Sequence, residues 1–378
     1  MPLYPMRIRR FVLRALAGAA SVFLLVGTGL AQGSGSSAAT AREVVSASDP
    51  AFRYQGRFDM GNPAAPVIVW ESSRISVGFS GTSLALLFGR SVDQNYFNVQ
   101  VDGEIQVVAV EPGSHAEIPW PVTLGQGLHH LVLIKRSEAA AGSAAFKGIE
   151  VASGAVVERP AASKAALRML FLGDSITVGA CDEDGAADQW DSRRTHNATL
   201  SYAALTADAF GADFENISVS GIGVVTGYVD VTFDEVWDRL YPARGAPRAD
   251  LTAWRPDVIF LNLGGNDTSY SKSKGRPFPT SFANSYFMLV SAIRRAYPDA
   301  QLVLLRGGMS ETEDDPVLIA AWTEAVRRYE AQDSHSTHFV FLHHTDLHPR
   351  VADHRIMADE LIHWLLGQAF MPPRLASK

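Results

Sequence analysis

The chain of 378 residues has a single cysteine, so no disulfide can form within it, and the fold must depend on its hydrophobic core. Charged residues are also few, at 19% against 47% apolar residues. This composition is globular and excludes a disordered or fibrous protein. A basic excess is lacking as well, because the formal net charge is −7. An acidic surface argues against nucleic acid or an anionic membrane as the partner.

A standard metal-ligand spacing is missing too. The histidines near the end of the chain are His335, His338, His343, His344 and His348. Their spacing matches no common ligand set, and much of that segment has the pattern of a strand. We therefore expect neither a metal nor a cofactor. Cys181 shows no sequence sign of activation and is expected to be a small buried side chain.

Residues 1–31 have the pattern of a secretion signal. A basic start contains Arg7, Arg9, Arg10 and Arg14, and an uncharged stretch follows it to about Leu30. Removing this segment takes the formal net charge from −7 to −11, because it holds four arginines and no acidic residue. An uncleaved anchor is the alternative, but the run is short for a membrane span. The prediction is a secreted or periplasmic protein without stable membrane insertion.

Residues 32–42 have the composition of a flexible linker, and residues 43–160 are dominated by short strands. Phe97, Val99 and Val101 alternate with polar residues, and Asp102-Gly103 follows them as a hairpin turn. Further strands are predicted at Val67–Trp70, Ile75–Phe79, Leu84–Phe88, Leu131–Ile134 and Phe146–Val151. Since no long helical period interrupts them, an antiparallel β-sandwich is the simplest fold.

The pattern changes after about Lys164, so we assign residues 165–378 to a second domain. Apolar strands are predicted at Leu167–Leu172, Phe214–Val219, Val258–Leu263, Gln301–Leu305 and Phe339–Leu342. Helices are predicted at about Asn197–Phe210, Ser281–Ala296, Pro316–Ala331 and Val351–Leu366. Alternating strands and helices with largely apolar strands predict an α/β domain of three layers, with a parallel sheet covered on both faces.

Glycines and polar residues follow the predicted strands of this second domain. The segments are Gly173-Asp174-Ser175, Ser220-Gly221-Ile222-Gly223, Gly264-Gly265-Asn266-Asp267 and Asp346-Leu347-His348-Pro349. The carboxyl ends of parallel strands meet at one edge of the sheet, where ligands bind. Such residues contribute little to stability there, so the pattern indicates a functional site.

Residue types suggest their roles in that site. Ser175 lies between a strand and a predicted helix start and is the candidate nucleophile, with His348 as its base. Asp346, as the nearest acid, would orient the histidine. The backbone N–H groups of Ser175 and Gly221 and the side-chain amide of Asn266 would form an oxyanion hole.

Each of these segments also has a plainer interpretation. Asp174-Ser175 and Asn266-Asp267 can be helix caps, Gly221 can be only a turn residue, and His348 can be structural. The functional interpretation depends on all four segments meeting at one edge, which capping does not require. Thr177 stands where the last glycine of a Gly-x-Ser-x-Gly elbow would be, so the α/β-hydrolase elbow is not present.

Ser175, Gly221, Asn266 and His348, in this order, resemble the four blocks of the SGNH (GDSL-type) hydrolase superfamily. In addition, the segments FRYQGRFD (52–59), IKRSEAAAGSAAF (134–146), FLGDSITVG (171–179) and SVSGIGV (218–224) resemble carbohydrate esterase family 2. The resemblance implies an N-terminal jelly-roll sandwich followed by an SGNH domain. It also implies removal of acetyl groups from plant-type polysaccharides or their oligosaccharides, often at the primary 6-hydroxyl, without a metal.

Two positions depart from the family patterns. The superfamily commonly places its acid three residues before the histidine, at Thr345 here, whereas Asp346 lies two before. Family 2 resembles this shorter spacing, and some members are thought to orient the histidine through a backbone carbonyl. Leu347 stands where family 2 often has tryptophan, so sugar contacts inferred from that ring do not transfer. Trp190 is a candidate for stacking on a sugar, whereas Tyr202 is expected in the core.

The expected function is an exported serine esterase that deacetylates xylan- or glucomannan-type glycans through an acyl-enzyme. One alternative keeps this chemistry on lipid, aryl or thioesters. The other alternative is a carbohydrate-binding protein with an inactive second domain.

Overall fold

The computed structural model describes residues 41–161 and 165–371. The predicted secretion signal, residues 1–31, and all but the last two residues of the predicted linker lie outside these ranges. The first strand begins at Arg42, where the predicted linker ends. In the described ranges, no helix has the length and apolar character that crossing a membrane requires.

The first part of the chain forms two antiparallel sheets. Its strands are Arg42–Ser46 (β1), Arg53–Gln55 (β2), Phe58–Asp59 (β3), Val67–Ile68 (β4), Arg74–Ser80 (β5), Leu84–Asp93 (β6), Asn95–Val101 (β7), Glu104–Val110 (β8), Ala116–Pro119 (β9), Leu128–Lys135 (β10), Gly142–Ala152 (β11) and Val157–Glu158 (β12). One sheet has the order β3-β4-β11-β6-β9 with β1 beside β11, and the other has the order β12-β5-β10-β7-β8 with β2 beside β5. This is the predicted β-sandwich.

Alternation along the strands builds the core between these sheets. Phe97, Val99 and Val101 are buried, while the polar residues between them are half-buried. At the hairpin turn that follows β7, Asp102 and Gly103 have φ values of 52° and 92°. Both are positive, as a type I′ turn requires, so the turn sets the register of β7 against β8.

The second part of the chain is a five-stranded parallel sheet with helices on both faces. Its strands are Arg168–Gly173 (β13), Asp213–Ser218 (β14), Val258–Asn262 (β15), Gln301–Arg306 (β16) and Ser336–Val340 (β17). Its helices are Ser175–Val178 (α1), Tyr202–Ala209 (α2), Phe233–Val236 (α3), Gly265–Ser273 (α4), Phe282–Ala296 (α5), Ser310–Glu313 (α6), Pro316–Glu330 (α7) and Val351–Leu365 (α8). The predicted three-layer α/β fold is confirmed.

Each strand of this sheet is buried on both faces, which explains its continuous apolar sequence. Phe171 and Phe260 stack at 4.4 Å between ring centroids and pack toward α2 and α8. Their neighbours Leu172 and Leu261 point to the opposite face, where α5 and α7 pack. The two helical layers therefore hold two separate apolar clusters on either side of the sheet.

The strand order β14-β13-β15-β16-β17 determines where a crevice opens at the edge of the sheet. The chain runs outward in one direction from β13 to β14 and in the other direction from β15 to β17. The connections therefore diverge between β13 and β15, and a crevice opens beyond the carboxyl ends of these two strands.

The sandwich packs directly against the parallel-sheet domain. Val69, Trp70 and Ala139 of the sandwich belong to the same apolar cluster as the helices α5 and α7. The buried Arg57 donates to the carbonyl oxygens of Trp237 at 2.6 Å and of Arg239 at 3.1 Å. The two parts thus share a buried contact surface.

A buried carboxylate also lies at this contact. Glu71 of the sandwich accepts the backbone N–H of Ser218, at the end of β14, at 2.8 Å. It also accepts the N–H of Ala139 at 3.0 Å, and burial raises the pKa of Glu71 to about 8. The sandwich therefore touches the strand end that leads into Gly221.

Candidate active site

Ser175 is the first residue of α1, directly after β13. Asp174 caps this short helix, since its Oδ1 accepts the N–H of Ile176 at 3.1 Å. At Gly173 a Cβ atom would lie 2.1 Å from Thr177 Oγ1, so only glycine allows the strand to turn so tightly into the helix. The turn holds Ser175 at the crevice with 6% of its surface exposed.

His348 reaches Ser175 from the loop between β17 and α8. Its Nε2 lies 2.9 Å from Ser175 Oγ. The strand β17 is far from β13 in the sheet, but the loop is tied back across the end of β16. Thr345 forms an isolated bridge with Met309, and its backbone is hydrogen-bonded to Gly308 and Ser310. The loop therefore delivers the imidazole to the crevice.

The acid that holds His348 is Asp188, which lies in the long loop between α1 and α2. Asp188 Oδ2 is 2.7 Å from His348 Nδ1, and Arg350 Nη1 donates to Asp188 Oδ1 at 2.8 Å. Burial alone would raise the pKa of Asp188, but the hydrogen bonds with His348 and Arg350 outweigh it and hold this pKa at about 2. A carboxylate only accepts, so Nδ1 carries the proton and Nε2 is free to accept from the serine.

The assignment of Asp346 as the orienting acid was wrong. Asp346 is exposed and its Oδ1 accepts from Ser310 Oγ at 2.7 Å, so its carboxylate points toward the start of α6. The reason is the bridge between Thr345 and Met309, directly before α6, which fixes the direction of the next side chain. His348, two residues further on, is turned toward Ser175. A side-chain carboxylate holds the histidine here, and it comes from a different loop.

Gly221, a predicted oxyanion-hole residue, lines the same pocket as Ser175. Its φ is +78°, and a Cβ atom there would lie 3.0 Å from Tyr228 Cβ, so a larger residue would be strained and crowded. Among the described residues, neither the Gly221 N–H nor the Ser175 N–H has a hydrogen-bond partner. Both donors belong to residues that line the same pocket and are open to a ligand oxygen.

Asn266 lies in the first turn of α4 and lines the same pocket. Its Nδ2 donates to Ile222 O at 2.9 Å and to Asp174 Oδ2 at 3.3 Å. The neighbouring Asp267 is buried and accepts the N–H groups of Val224, Val225 and Thr226 at distances between 2.7 and 3.0 Å. Asn266 is thus fixed at the crevice, while Asp267 shapes the loop that follows Gly221.

The pKa of Asp174 is shifted, and this shift makes the stability of the fold depend on pH. Burial raises the pKa of Asp174 to about 7. A raised acid pKa means that the folded protein holds the proton more tightly, so the wild type loses stability as the pH rises from about 4 to about 7. We expect Asp174→Asn, which keeps a capping oxygen but no charge, to gain in Tm over the wild type across this window. Above about pH 7 the difference in Tm between the variant and the wild type should be constant. Thermal unfolding followed by circular dichroism measures these Tm values.

Asp315, the cap of α7, offers a control of opposite sign. It pairs with Lys272 at 2.8 Å and accepts from Thr268 Oγ1 at 2.6 Å and from the Leu318 N–H at 3.0 Å. Burial alone would raise the pKa of Asp315, but these partners hold it at about 2. Asp315→Asn should therefore lose Tm above about pH 4, where the carboxylate stabilises the fold, and the loss should shrink toward pH 2. The same sign in both variants would contradict the assigned environments.

A pocket of about 440 Å³ is lined by Ser175, Gly221, Asn266 and His348. Trp190 forms part of its wall, with the indole edge-on to the His348 ring at 4.9 Å between centroids. Tyr228 is another lining residue, with 54% of its surface exposed. Two exposed aromatic rings therefore flank the serine. Tyr202, by contrast, is buried in the core and hydrogen-bonded to Thr177 at 2.9 Å, as predicted.

Cys181 is buried, as predicted, and lies beside the same machinery. Its Sγ and ligand atoms of Asp188 and His348 all lie within 4.8 Å of one another, a grouping that could surround a cation. Two features disfavour this. Burial raises the pKa of the Cys181 thiol, and the guanidinium of Arg350 already occupies the second oxygen of Asp188. We assign these groups to the hydrogen-bond chain.

The sequence interpretation missed Asp188 and Arg350. The loop that carries Asp188 has no periodic pattern, and it contains a cluster of acids: Asp182, Glu183, Asp184, Asp188 and Asp191. Nothing in the sequence distinguishes one of them. The nearest indication was Trp190, two residues further on, which was already a candidate for the pocket.

The domain order agrees with known families. The model of the carbohydrate esterase 2 N-terminal domain matches residues 54–160, and the model of the GDSL-like lipase/acylhydrolase family matches residues 171–364. The first match covers most of the sandwich strands. The second covers the segments with Ser175, Gly221, Asn266 and His348.

Individual proteins support the same relationship. The cellulase/esterase CelE of Acetivibrio thermocellus is 31% identical over 324 residues, which are 83% of this chain but 39% of that protein. An acetylxylan esterase / glucomannan deacetylase of Cellvibrio japonicus is 29% identical over 264 residues, 66% of this chain and 71% of that protein.

The fold has solved counterparts as well. A family two carbohydrate esterase from Clostridium thermocellum, solved in complex with cellohexaose, has a TM-score of 0.74 at 29% identity, over 83% of this chain and 98% of that one. The resemblance to carbohydrate esterase family 2 is thereby confirmed. The chain belongs to the GDSL-like lipase/acylhydrolase family of ester hydrolases, with a carbohydrate esterase 2 N-terminal domain preceding the hydrolase domain.

Proposed function

We propose that this protein is an exported serine esterase that removes O-acetyl groups from polysaccharides or oligosaccharides of the xylan or glucomannan type. The observation that carries the proposal is the unbroken chain Ser175–His348–Asp188, with distances of 2.9 and 2.7 Å, beside two open backbone N–H donors. Export rests on the basic and uncharged pattern of residues 1–31.

In the first half-reaction, His348 Nε2 takes the proton of Ser175 as Oγ attacks the acetyl carbonyl carbon. The carbonyl oxygen becomes an oxyanion, which the N–H groups of Ser175 and Gly221 stabilise. The Asn266 amide joins them by exchanging its 3.3 Å hydrogen bond to Asp174 Oδ2 for one to the oxyanion. Asp188 stabilises the imidazolium that forms. Collapse of this intermediate breaks the bond between the acetyl carbon and the sugar oxygen, and His348 gives its proton to that oxygen. The deacetylated sugar departs, and Ser175 remains acetylated.

Water completes the cycle. His348 takes a proton from a water molecule as the water oxygen attacks the acetyl-serine, and the same donors stabilise the second oxyanion. On collapse His348 gives its proton to Ser175 Oγ, and the product leaves as acetic acid, which ionises to acetate in water. Every proton transfer uses the one histidine, whose tautomer Asp188 fixes, so each step requires the same geometry.

The substrate class rests on the pocket and on the relatives. Trp190 and Tyr228 are exposed aromatic residues that line the pocket of Ser175, and aromatic rings can stack on sugar rings. The similar proteins are named as acetylxylan esterases and glucomannan deacetylases, and one solved relative binds cellohexaose. A sugar chain across the opening, with its acetyl group directed at Ser175, is consistent with both observations.

The test is deacetylation followed by NMR on acetylated xylan and glucomannan oligosaccharides, which reports both the substrate and the hydroxyl position. Acetate release from these substrates, faster than hydrolysis of long-chain acyl esters, is expected. A clear preference for long acyl chains would indicate a lipid, aryl or thioester hydrolase instead. Affinity for the glycans without any turnover would indicate a binding protein.

The oxyanion hole provides a second check. Removing one such donor costs about 10²- to 10³-fold in kcat, so Asn266→Ala is expected to lower kcat on p-nitrophenyl acetate by that amount with little change in KM. Ser269→Ala, in the same helix and pocket, is the matched control and should retain activity. Full activity of Asn266→Ala would exclude the side chain from the oxyanion hole.

A further inference from the structure

The loop between α1 and α2, residues 181–201, carries both Asp188 and Trp190. We call it the acid-bearing loop. It contains two short 3₁₀ turns, at Arg193–Thr195 and Ala198–Leu200, and is otherwise irregular. A catalytic acid in such a segment needs external anchors, because an irregular backbone has little local structure to fix a side chain.

The main anchor is Arg136 of the sandwich, directly after β10. It is 2% exposed, and its guanidinium points into the acid-bearing loop. Nη2 donates to Arg194 O at 2.8 Å and to the Glu183 carboxylate, and Nε donates to His196 O at 3.4 Å. The backbone oxygen of Arg136 also accepts from Ala198 N at 2.9 Å. One buried cation thus binds the loop on both sides of Asp188.

Two other sandwich residues support this contact. Gln94 donates from Nε2 to Asp191 O at 2.9 Å and accepts the Arg193 N–H at 2.9 Å, so it brackets the residues that follow Trp190. Asn98 Oδ1 accepts from Arg136 Nη1 at 3.1 Å, which fixes the orientation of the guanidinium. The sandwich is therefore hydrogen-bonded to the acid-bearing loop at its centre and near its end.

The acid-bearing loop in turn contacts His348, so anchoring the loop also fixes the position of this histidine. Asp188 contacts His348 Nδ1 at 2.7 Å, and the Trp190 ring lies against the His348 ring. The guanidinium of Arg193 lies over the Trp190 ring at 5.0 Å. On the opposite side, Arg350 Nη1 holds Asp188 and the Cys181 carbonyl oxygen, so the acid is fixed between an anchor in each domain.

We propose that Arg136 is a positioning residue for catalysis, acting through Asp188. The sandwich is then a part of the active-site scaffold, beyond any role in binding sugar. This inference rests on the proposed function, because it concerns the orientation of the histidine that activates Ser175.

The test is Arg136→Gln in the full chain, which removes the cation but keeps a polar side chain. Misplacing a catalytic group by about 1 Å can cost about 10²-fold, so we expect kcat/KM on p-nitrophenyl acetate to fall by up to about 10²-fold. The loss should appear in kcat with little change in KM, because a displaced Asp188 orients His348 poorly and leaves the ester-binding pocket intact. Arg136→Lys, which keeps the charge, should recover part of the loss.

If Arg136→Gln folds poorly, Gln94→Ala provides a milder variant, in which a smaller loss of kcat is expected, again with little change in KM. Tyr241→Phe is the matched control. It removes the 2.7 Å hydrogen bond to Asp59, which joins the same two domains without involving a residue of the acid-bearing loop. This variant should keep its kcat and KM, although its Tm falls.

A double-mutant cycle separates positioning from simple destabilisation. If Arg136 acts through Asp188, then Arg136→Gln should cost at most about twofold more in an Asp188→Asn background. The proposal would be overturned if the two losses multiplied, or if the Arg136 and Gln94 variants had a lowered Tm but wild-type kcat and KM. Ser175-dependent turnover in the wild type would still support the proposed function in that case, and its absence would end both.

Discussion

Replacing Ser175 with alanine is expected to lower kcat on p-nitrophenyl acetate by about 10⁴-fold or more while KM changes little. The reason is that no other hydroxyl lies within reach of His348 Nε2 in the described pocket with open N–H donors beside it. Without the covalent step, only the oxyanion hole and the binding of the ester remain to assist an attack by water. The fold should be unaffected, because alanine fits a helix start that Asp174 caps.

Ser310→Ala is the informative control for this experiment. Ser310 Oγ lies 3.2 Å from His344 Nδ1 and 2.7 Å from Asp346 Oδ1, so it has the residue types of a catalytic group. Ser310 begins α6 and is not among the residues that line the pocket of Ser175 and Gly221, so we expect the variant to keep full activity. If Ser310→Ala were inactive and Ser175→Ala active, the assignment of the nucleophile would be wrong.

Most of the fold could be predicted from the sequence because its patterns are local. The alternation in β7 and the turn at Asp102-Gly103 define a hairpin by themselves. The apolar runs that became β13, β15 and β16 are typical of strands buried on both faces. The short helices α3 and α6 were missed, since four residues are too few to show a helical period.

Helix ends show the same limit. The helix predicted from about Asn197 begins at Tyr202, with Ser201 as its cap, and Asn197 instead caps a separate 3₁₀ turn. Both residues are good cap formers, and the sequence does not decide between them. The helix at Pro316 began where predicted, because a capping aspartate followed by proline is a stronger pattern.

The residues of the candidate site also fall into those that the sequence predicts and those that it does not. Ser175, Gly221, Asn266 and His348 follow strands, and the geometry of a parallel sheet alone brings the ends of strands together. Asp188 follows no strand. Its place depends on tertiary contacts of an irregular loop, including Arg136 from another domain, and such contacts leave no periodic pattern. Closeness in sequence favoured Asp346, but closeness in space selected Asp188.

Asp188→Asn is expected to lower kcat by about 10³- to 10⁴-fold. Asparagine has nearly the same shape, but its amide can donate to His348 Nδ1. The imidazole then carries its proton on Nε2, where it can no longer accept from Ser175. The imidazolium also loses its stabilising charge. Since His348 and Arg350 hold the pKa of Asp188 at about 2, the wild-type carboxylate is ionised throughout the assay range, and its own protonation does not limit activity.

The matched control is Asp346→Asn, the same substitution in the acid that lies two residues before the histidine. Its carboxylate contacts Ser310 on the exposed side of the loop, so kcat should stay within about twofold of the wild type. Both variants can be measured on p-nitrophenyl acetate from pH 5 to pH 9, with Tm followed in parallel. Asp188→Asn should also lose Tm above about pH 4, and this loss should shrink as the pH falls toward 2, because a depressed acid pKa stabilises the fold only where the carboxylate is ionised. An inactive Asp346→Asn beside an active Asp188→Asn would restore the assignment made from the sequence. If both variants were active, a backbone carbonyl would have to orient His348.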